Sequence, residues 1–181
     1  MKKENVIIEL IGVNKEYEGF TAVENFNLYV KKGEFVTFLG PSGCGKTTTL
    51  RMIAGFELPT KGQILLNGQD ITNMSIDERA NLGIGYAFQA PVKFKGITVY
   101  DIIKLSSKKE MTKAEACEVL SSVGLCAREY VDREVNGSLS GGELKRIEIA
   151  SVVSKNSEFT IFDEPEAGID LWSFNNLIKV F

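Results

Sequence analysis

The chain has 181 residues, of which 44% are hydrophobic and 25% are charged, and its formal net charge is -3. This length and composition predict one globular domain, and the lack of a basic field disfavours a role in nucleic-acid binding. Three irregularly spaced cysteines give little support to a disulfide framework or a zinc site, and no stretch approaches the roughly 18 uncharged apolar residues of a membrane span, so any action at a membrane would require a partner.

Strand and helix patterns alternate in the first half of the chain. The run from Phe35 to Leu39 is apolar except for Thr37, which predicts a strand buried on both faces, as in parallel sheets. Asn67-Gly68 predicts a tight hairpin turn. The patterns around these features predict a helix over Thr47 to Ala54 that ends at Gly55, a strand over Gln63 to Leu66 and a strand over Gly83 to Phe88.

The second half begins with a helical region and contains one clear strand. From Thr98 to about Val123, apolar residues recur three or four positions apart, which predicts a helical subdomain. A strand is predicted at Phe159 to Phe162, directly before Asp163. A short helix is predicted over Leu171 to Val180.

The segment from Gly40 to Thr47 fits the P-loop pattern G-x-x-x-x-G-K-[ST] between a predicted strand and a predicted helix. Backbone N–H groups of such a loop hold the alpha and beta phosphates of ATP, Lys46 reaches the beta and gamma phosphates, and the Thr47 hydroxyl binds Mg²⁺. A plain glycine-rich turn is disfavoured, because a chance match is expected on the order of once per hundred chains of this length or less. The expected nucleotide-binding residues here are Gly40, Pro41, Ser42, Gly43, Cys44, Gly45, Lys46, Thr47 and Thr48.

A second motif, Leu139-Ser140-Gly141-Gly142-Glu143, also has an ordinary explanation. Ser140 and Glu143 form a capping box at the start of a helix. Such a box does not need two glycines, which lower helix propensity but let a phosphate approach the backbone N–H groups closely. The motif therefore predicts a second anion site, with Ser140, Gly141, Gly142 and Glu143 at the nucleotide.

Asp163 and Glu164 follow the predicted strand and would lie at the carboxyl edge of a parallel sheet, where open α/β folds bind ligands. The alternative is a solvated turn before Pro165. Phosphoryl chemistry needs one acid for the metal and one for the attacking water. We assign Asp163 to the metal and Glu164 to the water.

These three motifs, in this order, resemble the nucleotide-binding domain of the ABC ATPase superfamily, and the resemblance covers essentially the whole chain. It implies an α/β fold: a P-loop NTPase (RecA-like) core with a mixed or parallel sheet, an N-terminal antiparallel β part and a helical subdomain. The expected arrangement is a single domain over residues 1–181, with its core at 1–90 and 155–181 and its helical subdomain at about 91–154.

The resemblance also implies roles for residues outside the three motifs. Tyr17 resembles the aromatic residue that stacks on adenine, and Gln89 resembles the glutamine that senses Mg²⁺ and the gamma phosphate. Gly168-Ile169-Asp170 resembles a loop at the dimer interface. With these assignments, the expected catalytic residues are Glu164, Lys46 and Gln89, and the expected magnesium ligands are Thr47, Gln89 and Asp163.

The partners implied by the resemblance are a second ABC ATPase subunit and a membrane protein. ATP would lie between the P-loop of one subunit and Ser140-Gly141-Gly142 of the other, in a head-to-tail dimer of this chain with itself or with another ABC ATPase subunit. The segment Pro91 to Ile103 resembles the surface that docks an integral membrane permease, with Phe94 as its contact. The protein is then expected in the cytoplasm, peripheral on the cytoplasmic face of the cell membrane.

One departure from the family concerns the region after Glu164. The family ordinarily continues with a strand carrying a histidine that contacts the gamma phosphate, whereas this chain has no histidine. In related P-loop ATPases that strand lies between the strand before the P-loop and the strand before Asp163. A C-terminally short chain is therefore expected to bind nucleotide with impaired turnover and to expose apolar edges.

The two halves resemble different subfamilies. Residues 5 to 73 resemble spermidine/putrescine importer ATPases, whereas Gln89 to Phe94 and Glu164 to Trp172 resemble soluble ABC ATPases of iron-sulfur cluster assembly. A mosaic joined near Ser75 to Gly83 would explain both. The functions left open are a transporter ATPase, which we favour, a soluble assembly ATPase, and a nucleotide-binding fragment with impaired turnover.

Overall fold

A computed structural model gives the fold for residues 5–107 and 109–167. The helix expected over Leu171 to Val180 and the loop Gly168-Ile169-Asp170 lie outside these described residues. None of the helices in this described part combines the length and the apolar character that a membrane span requires.

Two compact units make up the chain, Met1–Ile84 and Gly85–Phe181. The division expected from the sequence, with a core at 1–90 and 155–181 and a helical subdomain at about 91–154, stays a prediction. Strands and helices occur in both units, in agreement with the α/β class.

The first unit is built on an antiparallel sheet with the strand order β2-β1-β3-β4. Its strands are β1 (Val6–Tyr17), β2 (Phe20–Lys31), β3 (Lys61–Leu66) and β4 (Gln69–Asp70). Strand β1 pairs with both β2 and β3, and its alternate residues Ile8 and Leu10 are fully buried, as expected where one face of a strand lies on a core. The expected N-terminal antiparallel β part is confirmed.

Asparagine and glycine set the turns of this unit as predicted. Asn67 and Gly68, with φ angles of 50° and 80°, form the hairpin turn between β3 and β4. Helix α1 (Lys46–Ala54) follows Gly45 and ends at Gly55, and both glycines adopt the left-handed conformation. A short helix, α2 (Ile76–Asn81), comes after β4. The predicted hairpin and the predicted end of α1 are therefore confirmed.

The strand expected over Phe35 to Leu39 is wrong. The segment has no strand pairing, and Phe35 and Leu39 are 71% and 89% exposed. A strand needs neighbours that take up its backbone hydrogen bonds, and no strand within the described ranges pairs with this segment. Hydrophobicity identified an apolar segment but not the neighbours that would bury it.

The second sheet pairs β5 (Ile84–Ala87) with β6 (Phe159–Phe162), as their apolar runs predicted. The helices between these strands, within the described part, are α3 (Val99–Ser106), α4 (Lys113–Ser122), α5 (Ala127–Tyr130) and α6 (Gly141–Ser154). Their apolar faces share one core, in which Ile103, Leu120 and Ile149 are fully buried. The helical region predicted from Thr98 to about Val123 is confirmed, as two helices rather than one.

Four of the described helices begin with a capping box, and in α2, α3 and α4 the hydrogen bonds of the box itself are the main reason that the acidic residue is held in its charged form. The carboxylates of Glu78, Asp101 and Glu115 accept hydrogen bonds from the cap residues of α2, α3 and α4. These hydrogen bonds lower the pKa of each carboxyl group. A carboxyl group with a lowered pKa contributes to the stability of the fold at pH values above its ordinary pKa of about 4. This contribution is lost as the pH falls through the lowered pKa.

Acid is therefore expected to weaken these helix starts below about pH 4, with a loss of ellipticity at 222 nm. Glu115→Gln keeps an oxygen that can accept the cap hydrogen bonds but removes the titrating group, so its ellipticity should depend less on pH between about pH 5 and pH 3. Glu118→Gln, on an exposed position of the same helix, is the matched control and should retain the wild-type acid profile. Identical profiles for the two variants would contradict this account.

Candidate functional site

The P-loop requires glycine at two points of its backbone. Gly43 and Gly45 have φ angles of 80° and 87°, in the left-handed region. A Cβ atom at Gly45 would lie 2.4 Å from the carbonyl oxygen of Ala22, so the loop can pass β2 this closely only with glycine here. Helix α1 starts directly after Gly45, and its first N–H groups, which have no acceptor within the helix, are suited to an anion.

Lys46 is held inside this loop by neutral oxygen atoms. Its Nζ donates to the carbonyl oxygen of Gly40 at 2.7 Å and to that of Pro41 at 2.8 Å, and lies 3.6 Å from the sulfur of Cys44. Carbonyl oxygens orient the ammonium group without neutralising its charge. The loop thus combines a fixed positive group with backbone N–H groups, and this combination suits phosphate.

Tyr17 lies beside the first turn of α1. Its hydroxyl hydrogen-bonds to Glu57 and Thr48, and burial, followed by the Glu57 carboxylate, raises the pKa of Tyr17. Lys15 joins the cluster, since its Nζ is 4.9 Å from the centroid of the Tyr17 ring and 3.0 Å from Glu57 Oε2. The Tyr17 side chain is still 43% exposed, which leaves surface for stacking on a base. The structure brings the predicted base-stacking residue next to Thr48.

Two side chains from β5 and the residues just after it hold the acidic pair. Tyr86 Oη donates to Asp163 Oδ2 at 2.9 Å, and Gln89 Nε2 donates to Glu164 Oε2 at 2.5 Å. Asp163 is buried, whereas Glu164 is exposed and has a φ of 47°, which is uncommon for a residue other than glycine. Gln89 and Glu164 are 75 residues apart in sequence, and the structure brings these two predicted site residues into contact.

Ser140 caps α6 as the capping-box pattern predicts. Ser140 Oγ accepts a hydrogen bond from the Glu143 N–H, and Glu143 Oε2 accepts one from the Ser140 N–H at 2.7 Å. The other oxygen of Glu143 accepts from the Tyr130 hydroxyl at 2.5 Å, and this bond is the largest cause of the lowered pKa of Glu143. A Cβ atom at Gly141 would meet nothing within 4 Å. Packing of the described residues therefore does not require glycine there, and a ligand could approach this backbone closely.

The predicted magnesium ligands fall in both units, with Thr47 in the first and Gln89 and Asp163 in the second. Across the described ranges, no group of three or more His, Cys, Asp and Glu side chains could hold a metal ion. Hydroxyl, amide and carboxylate oxygens are the ligands that Mg²⁺ accepts, and it usually completes its shell with water and substrate phosphates. Each of the three side chains thus carries an oxygen atom of a kind that Mg²⁺ accepts, and the set stays a prediction.

An apolar groove of about 170 Å³ lies in the second unit. Val92 and Phe94 line it and are 47% and 41% exposed. Leu144 and Ile147 of α6 line it as well. The segment Pro91 to Ile103, expected as a docking surface, thus contributes exposed apolar side chains to a concave surface.

Sequence reasoning missed three polar residues of this unit. The strand predicted over Gly83 to Phe88 includes Tyr86 but does not indicate that the tyrosine hydroxyl donates to Asp163. Lys145 and Glu148 of α6 form an ion pair with 3.2 Å between Nζ and Oε2, and the Lys145 side chain is fully buried. An apolar pattern with a charged residue at a helical core position is the sequence signal that could have identified the pair.

A family model described as ABC transporter matches residues 23–167. The chain belongs to the ABC transporter family. The matched region includes the P-loop, the Ser140-Gly141-Gly142 motif and the acidic pair Asp163-Glu164.

Two curated relatives are similar across both halves of this ABC family member. The spermidine/putrescine import ATP-binding protein of Mesoplasma florum is 39% identical over 173 residues, which are 93% of this chain and 48% of that protein. An uncharacterised ABC transporter ATP-binding protein of Methanocaldococcus jannaschii is 39% identical over 168 residues, covering 88% of this chain and 67% of that protein. The chain spans about half the length of the importer relative, and similarity across both halves argues against the mosaic.

A solved ABC cassette has the same fold. It is a dimer in a post-hydrolysis state with bound ADP and phosphate, and it superposes with a TM-score of 0.83 at 26% identity. The match covers 96% of this chain and 81% of the solved chain. The P-loop NTPase fold expected from the motifs is therefore confirmed.

Proposed function

We propose that this chain binds ATP with Mg²⁺ and hydrolyses ATP as one of two ABC subunits, and that hydrolysis drives transport through an integral membrane partner. The observation that carries the proposal is the 2.5 Å hydrogen bond from Gln89 to Glu164. It joins the side chain expected to sense the gamma phosphate to the carboxylate expected to activate water. Both residues are predicted for the site from separate segments of the sequence, and a chance contact between surface side chains would not be expected to join these two.

Nucleotide binding in this proposal rests on the first unit. Lys46 contributes a positive charge that its carbonyl partners leave intact, and the backbone N–H groups of the loop receive the alpha and beta phosphates. Tyr17 stacks on adenine while its hydroxyl stays hydrogen-bonded to Thr48 and Glu57. Base and phosphate contacts then flank the first turn of α1.

Hydrolysis rests on the acidic pair. Glu164 orients or deprotonates the attacking water, and the Gln89 amide fixes the carboxylate that does so. Thr47, Gln89 and Asp163 would hold Mg²⁺, which supplies positive charge to the phosphate oxygens when bound. Tyr86 donates to one oxygen of Asp163 and so fixes the orientation of this carboxylate.

A head-to-tail dimer would complete the site. The similar cassette was solved as a dimer with ADP and phosphate, which supports the same association here. ATP would then contact the P-loop of one subunit and Ser140-Gly141-Gly142 of the other. The open space around a Cβ atom at Gly141 fits a phosphate that approaches the backbone from outside the chain.

A membrane permease is the proposed second partner, docked in the groove that Val92 and Phe94 line. Exposed apolar side chains in a concave surface are suited to the apolar face of a partner helix. The relative from Mesoplasma florum is an import ATP-binding protein, which supports transport as the process. The protein would then act in the cytoplasm, on the cytoplasmic face of the membrane.

Lys46→Ala is expected to weaken ATP binding by at least about tenfold, because a charge-assisted hydrogen bond to phosphate is lost. Titration of the purified protein with a fluorescent ATP analogue gives the dissociation constant, and phosphate release gives the turnover. Lys61→Ala removes an exposed lysine of the same unit and is the matched control. Equal affinities for wild-type and Lys46→Ala protein would contradict the proposed site.

Phe94→Asp is expected to abolish co-purification with an integral membrane protein, because a charge in an apolar contact is costly to desolvate. Affinity purification from solubilised membranes followed by mass spectrometry measures the association. Leu58→Asp, at another exposed apolar position, is the control that should leave it intact. Recovery of the wild-type protein only in a soluble complex would favour an assembly ATPase instead.

A further inference from the structure

We propose that the buried Lys145–Glu148 pair of α6 is a positioning device for Gln89, acting through the backbone of Phe88 and Gln89. The inference deepens the proposed function and rests on it, since it concerns the placement of the side chain that contacts Glu164. The pair lies in α6, the helix that Ser140 caps, so one helix would serve both the second phosphate-binding motif and Gln89.

Lys145 and Glu148 together hold both polar backbone groups of Phe88. The Lys145 ammonium donates to the carbonyl oxygen of Phe88 and, at 3.4 Å, to that of Gln89. Glu148 Oε1 accepts the N–H of Phe88 at 2.8 Å, and Glu148 Oε2 lies 3.2 Å from the ammonium. Two side chains of one helix turn thus fix the peptide groups directly before and after Phe88.

A buried ion pair contributes little net free energy to the stability of a helix. The Lys145 side chain is fully buried and that of Glu148 is 11% exposed, and burial raises the pKa of Glu148 while the nearby Lys145 ammonium opposes this change. A buried ion pair often contributes no more to stability than apolar residues of similar volume, because both charges lose their hydration. Apolar residues could not form the hydrogen bonds that Lys145 and Glu148 make with the two peptide groups.

The Gln89 side chain extends from this fixed backbone and contacts the proposed catalytic carboxylate of Glu164. Gln89 Nε2 donates to Glu164 Oε2 at 2.5 Å, so a shift of the Phe88–Gln89 peptide moves the amide relative to Glu164. A displacement of about 1 Å at a reacting group can reduce a rate by roughly 100-fold. Lys145 and Glu148 touch neither carboxylate of the acidic pair in the contacts described above, and their proposed role is therefore positioning.

The test uses a double variant, Lys145→Met/Glu148→Leu, which removes both charges together and leaves no unpaired charge in the core. Amide hydrogen exchange reports on the Phe88 N–H, and steady-state hydrolysis gives kcat and KM for ATP. Glu148→Gln retains an oxygen that can accept from the Phe88 N–H and is the conservative variant. Lys113→Met/Asp132→Leu removes an exposed ion pair of the same unit and is the matched control.

In the double variant we expect the Phe88 N–H to exchange at least about tenfold faster, kcat to fall roughly 10- to 100-fold and the KM for ATP to change less than about twofold, since the P-loop is untouched. The exposed-pair control should stay near wild type. Glu148→Gln keeps an acceptor for the Phe88 N–H but leaves the buried Lys145 ammonium without its counter-charge, so exchange at Phe88 should rise less than in the double variant. Unchanged exchange at Phe88, or an unchanged kcat despite faster exchange, would overturn the proposal. So would loss of a cooperative melting transition, because the pair would then be needed for folding rather than positioning.

Failure of the proposed function has a different signature. Wild-type protein that binds ATP and releases no phosphate would overturn the ATPase proposal, and exchange at Phe88 would still decide whether α6 holds this peptide. Wild-type turnover combined with an unaffected double variant would overturn the positioning role alone.

Discussion

Glu164→Gln protein is expected to bind ATP with wild-type affinity and to turn it over at least about 100-fold more slowly. The glutamine side chain is nearly isosteric and retains an oxygen that can accept from Gln89 Nε2, so the contact seen at 2.5 Å can persist. What it loses is the negative charge that orients or deprotonates water. Nucleotide affinity by fluorescence and phosphate release over time, measured on the same preparation, separate these two effects.

The matched control for this prediction is Glu166→Gln, two residues further along and likewise exposed. It removes the same charge without the contact to Gln89, so its turnover should stay within about twofold of wild type. If Glu164→Gln also retained wild-type turnover, another group would have to activate the water. A parallel loss of ATP affinity would instead assign Glu164 to ground-state binding.

Local signals in the sequence predicted much of this fold. Gly55 ends α1 in the left-handed conformation, and Asn67-Gly68 makes the hairpin turn, because few residues other than glycine and asparagine adopt positive φ easily. Ser140 and Glu143 form their capping box from neighbouring residues alone. Each of these features is determined within a few positions of the chain, which is why pattern and spacing sufficed.

Features that depend on distant partners could not be predicted in the same way. The segment Phe35 to Leu39 has the hydrophobicity of a buried strand, but a strand also needs neighbours, and its composition carries no information about them. The hydrogen bond between Tyr86 and Asp163 joins residues 77 positions apart. Motif spacing placed Asp163 correctly after its strand and gave no indication that a tyrosine hydroxyl would hold it.

Buried charge was the other feature missed by sequence reasoning. Charged side chains usually lie at the surface, so a lysine or arginine in a helical pattern is assigned to the solvent face. Lys145 and Arg79 are both fully buried. In each case backbone carbonyl oxygens from other segments accept hydrogen bonds from the cation, and such acceptors have no sequence signature.

Arg79 illustrates how much depends on one such cation. Its guanidinium donates to four carbonyl oxygens. Two of them belong to the last turn of α1, where carbonyl oxygens have no N–H partner within the helix. The acceptors are Met52 at 2.5 Å, Ile53 at 2.9 Å, Thr72 at 2.8 Å and Met74 at 3.1 Å. A planar group with several fixed donors can serve all four, whereas an ammonium group offers three donors from a single atom.

Arg79→Met is therefore expected to lower the free energy of unfolding by at least about 3 kcal/mol, because it leaves buried carbonyl oxygens without their donors. Arg79→Lys should recover only part of this loss, since one nitrogen cannot reach acceptors on both α1 and the segment before α2. Urea unfolding followed by circular dichroism measures the change. Arg51→Met, at an exposed position of α1, should cost less than about 0.5 kcal/mol, and a similar small loss for Arg79→Met would show that the four carbonyl contacts contribute little to stability.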